Sequence, residues 1–376
     1  MKIVIVMDSF KGSLSSLEAA EAVRCGVLAA KPDAEVVIIP AADGGEGTVD
    51  ALTRHTEAVR VETEVCGPYR EPVVCSYAVL PKTRTAVIEM AAASGITLTE
   101  RREPLLATTY GTGQLISHAI RNGCRDFIVG IGGSATNDGG SGMLRALGFG
   151  FYDKQGQDAG DGAGALEKIL SVDLSQCMPE LEKCRFRVAC DVTNPLCGKE
   201  GATYIYGPQK GMPDNLLDKI DQDMARYAQL AAAATGRNCA FAPGAGAAGG
   251  LGFAFLSFLN ASLVSGIHLI LEASGAEAAI ADADYVVTGE GRIDEQTPFG
   301  KVPSGIGKLA LKHGVKVIAF AGSVSESPGV YSACKAAGIS AVFPILRNAA
   351  TLREAMLPER AKSNLSACAE QVFRLL

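Results

Sequence analysis

KIVIVMDSFKGSLSSLEAAEAVRCGVLAAKPDAEVVIIP, residues 2 to 40, is the stretch that decides the fold. Its opening KIVIVM is an apolar, β-branched run of strand length. Ser15 and Glu18 then form a capping-box signal, and Leu17, Ala20, Val23 and Val27 fall on one stripe of the helix that follows. EVVIIP, residues 35 to 40, is the next strand. A strand, an amphipathic helix and a second strand imply parallel pairing through a right-handed crossover, and therefore an α/β fold.

The far end of the chain repeats this style. DADYVVTGEG (282–291), VKVIAFAG (315–322) and ISAVFPIL (339–346) read as strands, with helical stretches near 302–313 and 330–338 and a closing helix over 351–374. The middle differs: VRVETEV (59–65), PVVCSYAV (72–79) and TAVIEM (85–90) follow one another as an antiparallel meander would. That shift predicts a boundary near Gly67-Pro68. The expected architecture is a Rossmann-like parallel-sheet domain formed by both chain ends, residues 1–66 plus 284–376, with a second α/β domain, residues 67–283, inserted. The active site is expected in the cleft between them.

Composition narrows the function classes. A chain of 376 residues is long enough for two domains. Its 43 glycines must sit mostly in loops, because 48% hydrophobic content marks an ordinary globular core. A net charge of −6 argues against a nucleic-acid partner, which would want a basic face. Eleven cysteines without any C-x-x-C pair read as reduced, and four histidines without H-E-x-x-H give no zinc spacing. The apolar run before Asp8 is too short for a secretory signal, and no run approaches membrane-span length. A soluble, cytoplasmic protein with no membrane partner is expected; a homo-oligomeric state stays open.

In open α/β sheets ligands sit outside the carboxyl ends of the strands, and the residues there are unusually polar. Asp8-Ser9-Phe10-Lys11-Gly12-Ser13 follows the first strand and Asp43-Gly44-Gly45-Glu46-Gly47-Thr48 the second. RFRVAC runs into Asp191-Val192-Thr193-Asn194, and YVV into Thr288-Gly289-Glu290-Gly291-Arg292-Ile293-Asp294. Any one Asp after a strand is often only the N-cap of the next helix. Taken together, carboxylates beside glycines suit a polyanion and a hydrated Mg²⁺, with backbone N–H groups for phosphate oxygens.

GIGGSATNDGG, residues 130–140, follows the apolar run Phe127-Ile128-Val129 and admits three readings. Gly130, Gly132 and Ala135 match a dinucleotide fingerprint, with Asp153 downstream; the glycines could instead cradle phosphate, or turn a corner. The polar second half, Ser134, Thr136, Asn137 and Asp138, weighs towards phosphate. No Walker A motif is present, since the Gly-Lys pairs at 198, 300 and 307 lack the following Ser/Thr. Thr109-Tyr110-Gly111-Thr112-Gly113-Gln114 opens a helix whose N-terminus favours an anion. GPQKGMP offers Lys210. PGAGAAGGLG (243–252) fits close helix packing as well as ligand approach.

With these residues in view, the chain resembles the bacterial type I glycerate kinase family. The resemblance rests on D-S-F-K-G-S-L (8–14), A-D-G-G-E-G-T (42–48), T-x-G-T-G (109–113), G-I-G-G-S-A-T-N-D-G-G (130–140) and A-C-D-V-T-N-P-L (189–196). It extends through G-P-Q-K-G (207–211), P-G-A-G-A-A-G-G (243–250) and V-T-G-E-G-R-I-D (287–294), and so spans nearly the whole chain. It implies a glycerate 2-kinase: ATP-dependent phosphorylation of D-glycerate to 2-phosphoglycerate and ADP, with Mg²⁺, on a two-domain fold. Met7 stands where proline is common, and Gln114 where Glu is usual, which puts the role of position 114 in doubt.

Loop position and family motif together give the candidate residues. Asp191 is the expected base or metal ligand, with Lys11 and Asp8 beside the chemistry. Ser9, Lys11, Asp43, Glu46, Asn194 and Arg292 are expected on glycerate. Thr109, Gly111, Thr112, Gly113, Gly132, Gly133, Ser134, Thr136, Asn137 and Lys210 are expected on the nucleotide. Asp138, Asp191, Glu290 and Asp294 are metal candidates. The alternatives are another small hydroxy acid or the 3-hydroxyl as acceptor, and a dinucleotide-dependent oxidoreductase.

Overall fold

The computed structural model describes residues 1–10, 12–39, 48–55, 57–295, 297 and 302–376. In chain order the first strands are β1 (Lys2–Met7), β2 (Glu35–Ile38), β3 (Val59–Cys66), β4 (Pro72–Leu80), β5 (Thr85–Glu89), β6 (Asp126–Gly130) and β7 (Gly150–Tyr152). They continue as β8 (Ser171–Asp173), β9 (Arg185–Ala189), β10 (Ser262–Val264), β11 (Tyr285–Ile293), β12 (Lys316–Val324) and β13 (Ala341–Pro344).

One compact unit comprises Met1–Asp43, Arg54–Thr56 and Ile270–Leu376. Its five-stranded sheet runs β13-β12-β11-β1-β2, all parallel, so both ends of the chain build one α/β sheet. The helix Ser16–Ala30 starts at the capping box read from the sequence: the Ser15 hydroxyl accepts from the Glu18 amide at 3.3 Å and Glu18 Oε2 accepts from the Ser15 amide at 3.0 Å. Val23 and Val27 of that helix are buried with Ile3 and Ile5 of β1, Phe320 of β12, and Leu365 and Phe373 of the last helix. Each such side chain withdrawn from water contributes about 1.5–3 kcal/mol. The closing helix expected over 351–374 is two, Leu352–Ala355 and Pro358–Leu375. Pro358 has no N–H to continue the first, but it suits the first turn of the second.

The other unit comprises Gly44–Thr53 and Glu57–Leu269, with a six-stranded sheet in the order β10-β9-β6-β5-β4-β3. β3, β4 and β5 form the antiparallel meander, while β5, β6, β9 and β10 are parallel. The strand Val59–Cys66, placed with the first domain from sequence, therefore belongs to this sheet. Gly67-Pro68 is not a boundary but the turn joining β3 to β4. There the Gly67 amide donates to the Glu71 carbonyl at 2.6 Å and Arg70 takes φ 69°. The core is aromatic, with Phe127 and Phe186 stacked at 4.7 Å between ring centroids. Because β5, β6, β9 and β10 run the same way, Glu89, Gly130, Ala189 and Val264 end on one edge of the sheet, where the connecting loops gather.

Candidate functional site

At the carboxyl end of β6 the chain enters Ile131-Gly132-Gly133, and both glycines are exposed. The turn is held by the neighbouring strand's exit: the Met90 amide donates to the Gly130 carbonyl at 2.9 Å, Ile96 to Gly133 at 2.8 Å, and Ala135 to Ser94 at 2.9 Å. Gly133 has φ 75°, in the region glycine favours, yet a Cβ there would meet only the Ala91 methyl at 3.6 Å. Backbone shape, not crowding, requires this glycine.

The second half of the motif, expected to line a ligand loop, turns inward. Thr136, Asn137 and Asp138 are fully buried and Ser134 nearly so. Asp138 Oδ2 accepts from the Thr109 amide and hydroxyl, both at 2.8 Å, and from the Gly142 amide at 3.3 Å; its Oδ1 accepts from Gly140 at 3.1 Å. Burial raises this carboxyl group above the usual range against those four donors. So enclosed, Asp138, a metal candidate from the sequence, ties the motif to the start of the helix Tyr110–Arg121. Asn137 Nδ2 donates to Thr203 Oγ1 at 3.0 Å.

The same carboxyl group meets residues 109–113. The helix Tyr110–Arg121 does meet an anion at its N-terminus, but the anion is Asp138. Thr109 Oγ1 also accepts from the Met143 amide at 2.8 Å, and Thr112 Oγ1 pairs with Ser94 Oγ at 2.9 Å. A Cβ on Gly111 would overlap the Cys66 carbonyl, and one on Gly113 the Met143 carbonyl. Thr109, Gly111, Thr112 and Gly113, expected on the nucleotide, are all buried and pack elements together. Gln114 Oε1 accepts from the Cys66 amide at 2.7 Å, a contact a glutamate could also make. PGAGAAGGLG is a close-packing segment too: the Gly139 amide donates to the Gly249 carbonyl at 2.9 Å. Lys210, expected on the nucleotide, is 3% exposed, with Nζ donating to Ser134 Oγ and to the Thr136 carbonyl, each at 2.6 Å.

Two residues past the end of β9, the strand beside β6, Asp191 is exposed and its Oδ1 accepts from the Gly266 amide at 3.2 Å, at the start of the helix Gly266–Ala273. Asn194 is held on both ends of its amide, Nδ2 to the Glu200 carbonyl at 2.8 Å and Oδ1 from the Tyr206 hydroxyl at 2.6 Å. Glu89 went unnoticed in the sequence. It ends β5 as a buried carboxylate, and Oε1 accepts from the Val49 amide at 2.6 Å, in the first turn of the helix Thr48–His55. Its signal was a lone acid closing the apolar run TAVI.

In the other unit, Asp8 and Ser9 leave β1 where Met7 is in register with Gly289, so Asp8 adjoins Glu290 of β11. The Asp8 amide donates to the Gly289 carbonyl at 2.9 Å, and the Ser9 amide to Asp8 Oδ1 at 2.6 Å. Glu290 is buried and accepts from the Thr297 hydroxyl at 2.7 Å; Asp294 donates its amide to Thr297 Oγ1 at 3.0 Å, and Arg292 is exposed. Met7 is a buried strand residue. Lys11, Asp43 and Glu46 lie outside the described residues.

Among the described residues no three His, Cys, Asp or Glu side chains gather as a metal centre, and no helix is long and apolar enough to cross a membrane. All eleven cysteines are free thiols. The dinucleotide fingerprint lacks its structural context, since no helix follows Ala135; the next one starts at Ser141.

Comparison with known proteins gives one answer. The model of the glycerate kinase family matches residues 3–376. A glycerate kinase of Bacillus subtilis strain 168 is 48% identical over 358 residues, covering 94% of this chain and 93% of its own. The glycerate 2-kinase of Escherichia coli K12 is 46% identical over 357 residues, with the same coverage of 94% and 93%. A crystal structure provisionally assigned as glycerate kinase 2 from Salmonella typhimurium LT2 superposes with a TM-score of 0.87 at 44% identity, covering 100% of this chain and 98% of that one.

Proposed function

The chain belongs to the glycerate kinase family and is a kinase, and from that premise we propose that it transfers the γ-phosphoryl group of ATP to the 2-hydroxyl of D-glycerate, releasing ADP and 2-phosphoglycerate. The observation that carries the reading is the exposed Gly132–Gly133 turn at the end of a central parallel strand, with exposed Asp191 at the end of the strand beside it. A glycine turn lets backbone N–H groups approach phosphate oxygens, which a Walker loop would otherwise supply. The 2-position is supported by the name of the E. coli relative.

Phosphoryl transfer needs positioning and charge neutralisation more than covalent help. Gly132 and Gly133 take the nucleotide phosphates. Asp191 receives the proton of the 2-hydroxyl as its oxygen bonds to the γ-phosphorus and the bond to the ADP oxygen breaks. Lys11 and Arg292, cations on a substrate with a carboxylate, hold glycerate together with Asp8, Ser9, Asp43, Glu46 and Asn194. The residues present fit Mg²⁺, which needs only one or two carboxylates beside substrate phosphates. Asp191 is an exposed carboxylate on the right edge, Asp294 and Glu290 are further candidates, and Asp138 is excluded by its enclosure. When bound, Mg²⁺ neutralises phosphate charge. The eleven free thiols support a reducing, cytoplasmic setting.

The test is ADP release from ATP across a panel of small hydroxy acids, with the product's phosphate position read by NMR. D-glycerate should be the preferred acceptor and carry phosphate on C2. Phosphate on C3, or ADP release indifferent to the acceptor, would overturn the assignment.

A further inference from the structure

Lys210 is a costly residue to keep where it is. It ends the turn Pro208–Lys210, and the next residue, Gly211 at φ 95°, is pressed against the Arg102 carbonyl, so the turn has no slack. Its ammonium group is buried with no ion pair among the described residues, and burial lowers its pKa to about 7 despite the nearby Asp138 charge. Yet Nζ is spent on two atoms immediately after the exposed glycines: Ser134 Oγ and the Thr136 carbonyl, each at 2.6 Å. Backbone bonds hold the strand side of that stretch, and Lys210 adds bonds to it from the protein interior. Ser134 sits in an isolated bridge with Gly95, flanked by the Ile96 amide on Gly133 and the Ala135 amide on Ser94, and its hydroxyl is held by Lys210.

We propose that Lys210 is a positioning residue that acts through the loop: by clamping Ser134 and Thr136 from inside the protein it fixes the exposed Gly132–Gly133 turn in the shape that receives nucleotide phosphate. It touches neither nucleotide nor acceptor. The assignment rests on the nucleotide reading of that turn. Leaving two buried acceptors without their donor costs about 1–3 kcal/mol, or about 5- to 150-fold in an equilibrium constant, if the cost falls on the bound loop.

The experiment measures ATP binding by calorimetry and steady-state kinetics on the full chain with Mg²⁺, for wild type, Lys210→Met, Ser134→Ala and the double variant. Lys210→Met should weaken ATP binding and raise KM for ATP by about tenfold or more, while KM for D-glycerate moves less than about twofold. Ser134→Ala should shift the same parameter in the same direction by a smaller factor. The double variant should lose no more than Lys210→Met alone, because Ser134 acts through the same clamp. Full additivity would instead mean that Ser134 meets the nucleotide directly, and would overturn the clamp. Lys210→Met binding ATP as tightly as wild type overturns the Lys210 assignment alone. A wild type that does not bind ATP overturns both that assignment and the nucleotide reading beneath it. If Lys210→Met does not fold, Ser134→Ala decides: unchanged ATP affinity contradicts the clamp, and a few-fold loss supports it.

Discussion

The turn at Gly132–Gly133 and the helix start at Thr109–Gly113 both set glycines near hydroxyls beside an apolar element, in opposite surroundings. Around Gly133 there is room for a side chain; around Gly111 a single added carbon meets backbone. The first turn is exposed at the edge of a parallel sheet, and the helix start is sealed against Asp138, Met143 and Cys66. Glycine content alone does not mark a phosphate site. The distinction lies in whether glycine is needed for its backbone angle in the open or for its missing Cβ inside.

Substitutions can break this comparison. The largest effect is expected at Gly111→Ala: the Cys66 carbonyl is backbone and cannot swing away, so about 3 kcal/mol or more of stability should be lost, read by urea denaturation. Gly111→Ala that folds normally with an altered KM for ATP would mean the helix start is a ligand site after all.

Next comes the pH dependence of Lys210. With its folded pKa near 7 and its ordinary value at 10.5, the folded state binds fewer protons than the unfolded one between those limits. The penalty for burying the ammonium is fully present below about pH 7 and is relieved as pH rises towards 10. Wild type should therefore gain stability relative to Lys210→Met across that window, measured as the difference between their denaturation midpoints. A wild-type-minus-variant midpoint that stays flat, or falls, as pH rises would show that Lys210 is not held down by burial.

The smallest effects separate shape from function. Gly133→Ala and Gly156→Ala both force a side chain onto positive φ, 75° and 76°, and each should cost about 1 kcal/mol. Only Gly133→Ala should also raise KM for ATP. Equal kinetics in the two variants would remove the functional claim from the first turn.

Much of the fold was legible because its signals are local. The capping box at Ser15 and Glu18, the strand periods of β1 and β11, and the close succession of β3, β4 and β5 need no knowledge of distant residues. What was not legible depends on pairing at long range. Val59–Cys66 reads as a strand, but only its register with Pro72–Leu80 says which sheet it joins. Asp138, in a motif of glycines and hydroxyls, reads as a ligand; that Thr109 lies against it is tertiary information. Lys210 reads as a phosphate cation until its burial is known. Glu89 shows the opposite failure, a carboxylate at a strand end hidden by the apolar run it closes.

The central claim is that Gly132 and Gly133 receive the nucleotide while Gly111 and Gly113 only pack the protein. The most direct measurement is a titration of isotope-labelled full chain with ATP and Mg²⁺, following backbone amides by transverse-relaxation-optimised NMR. The account predicts saturable shifts of the Gly132 and Gly133 amides, with those of Gly111 and Gly113 nearly still. Large shifts at Gly111 and Gly113 with none at Gly132 and Gly133 would contradict it.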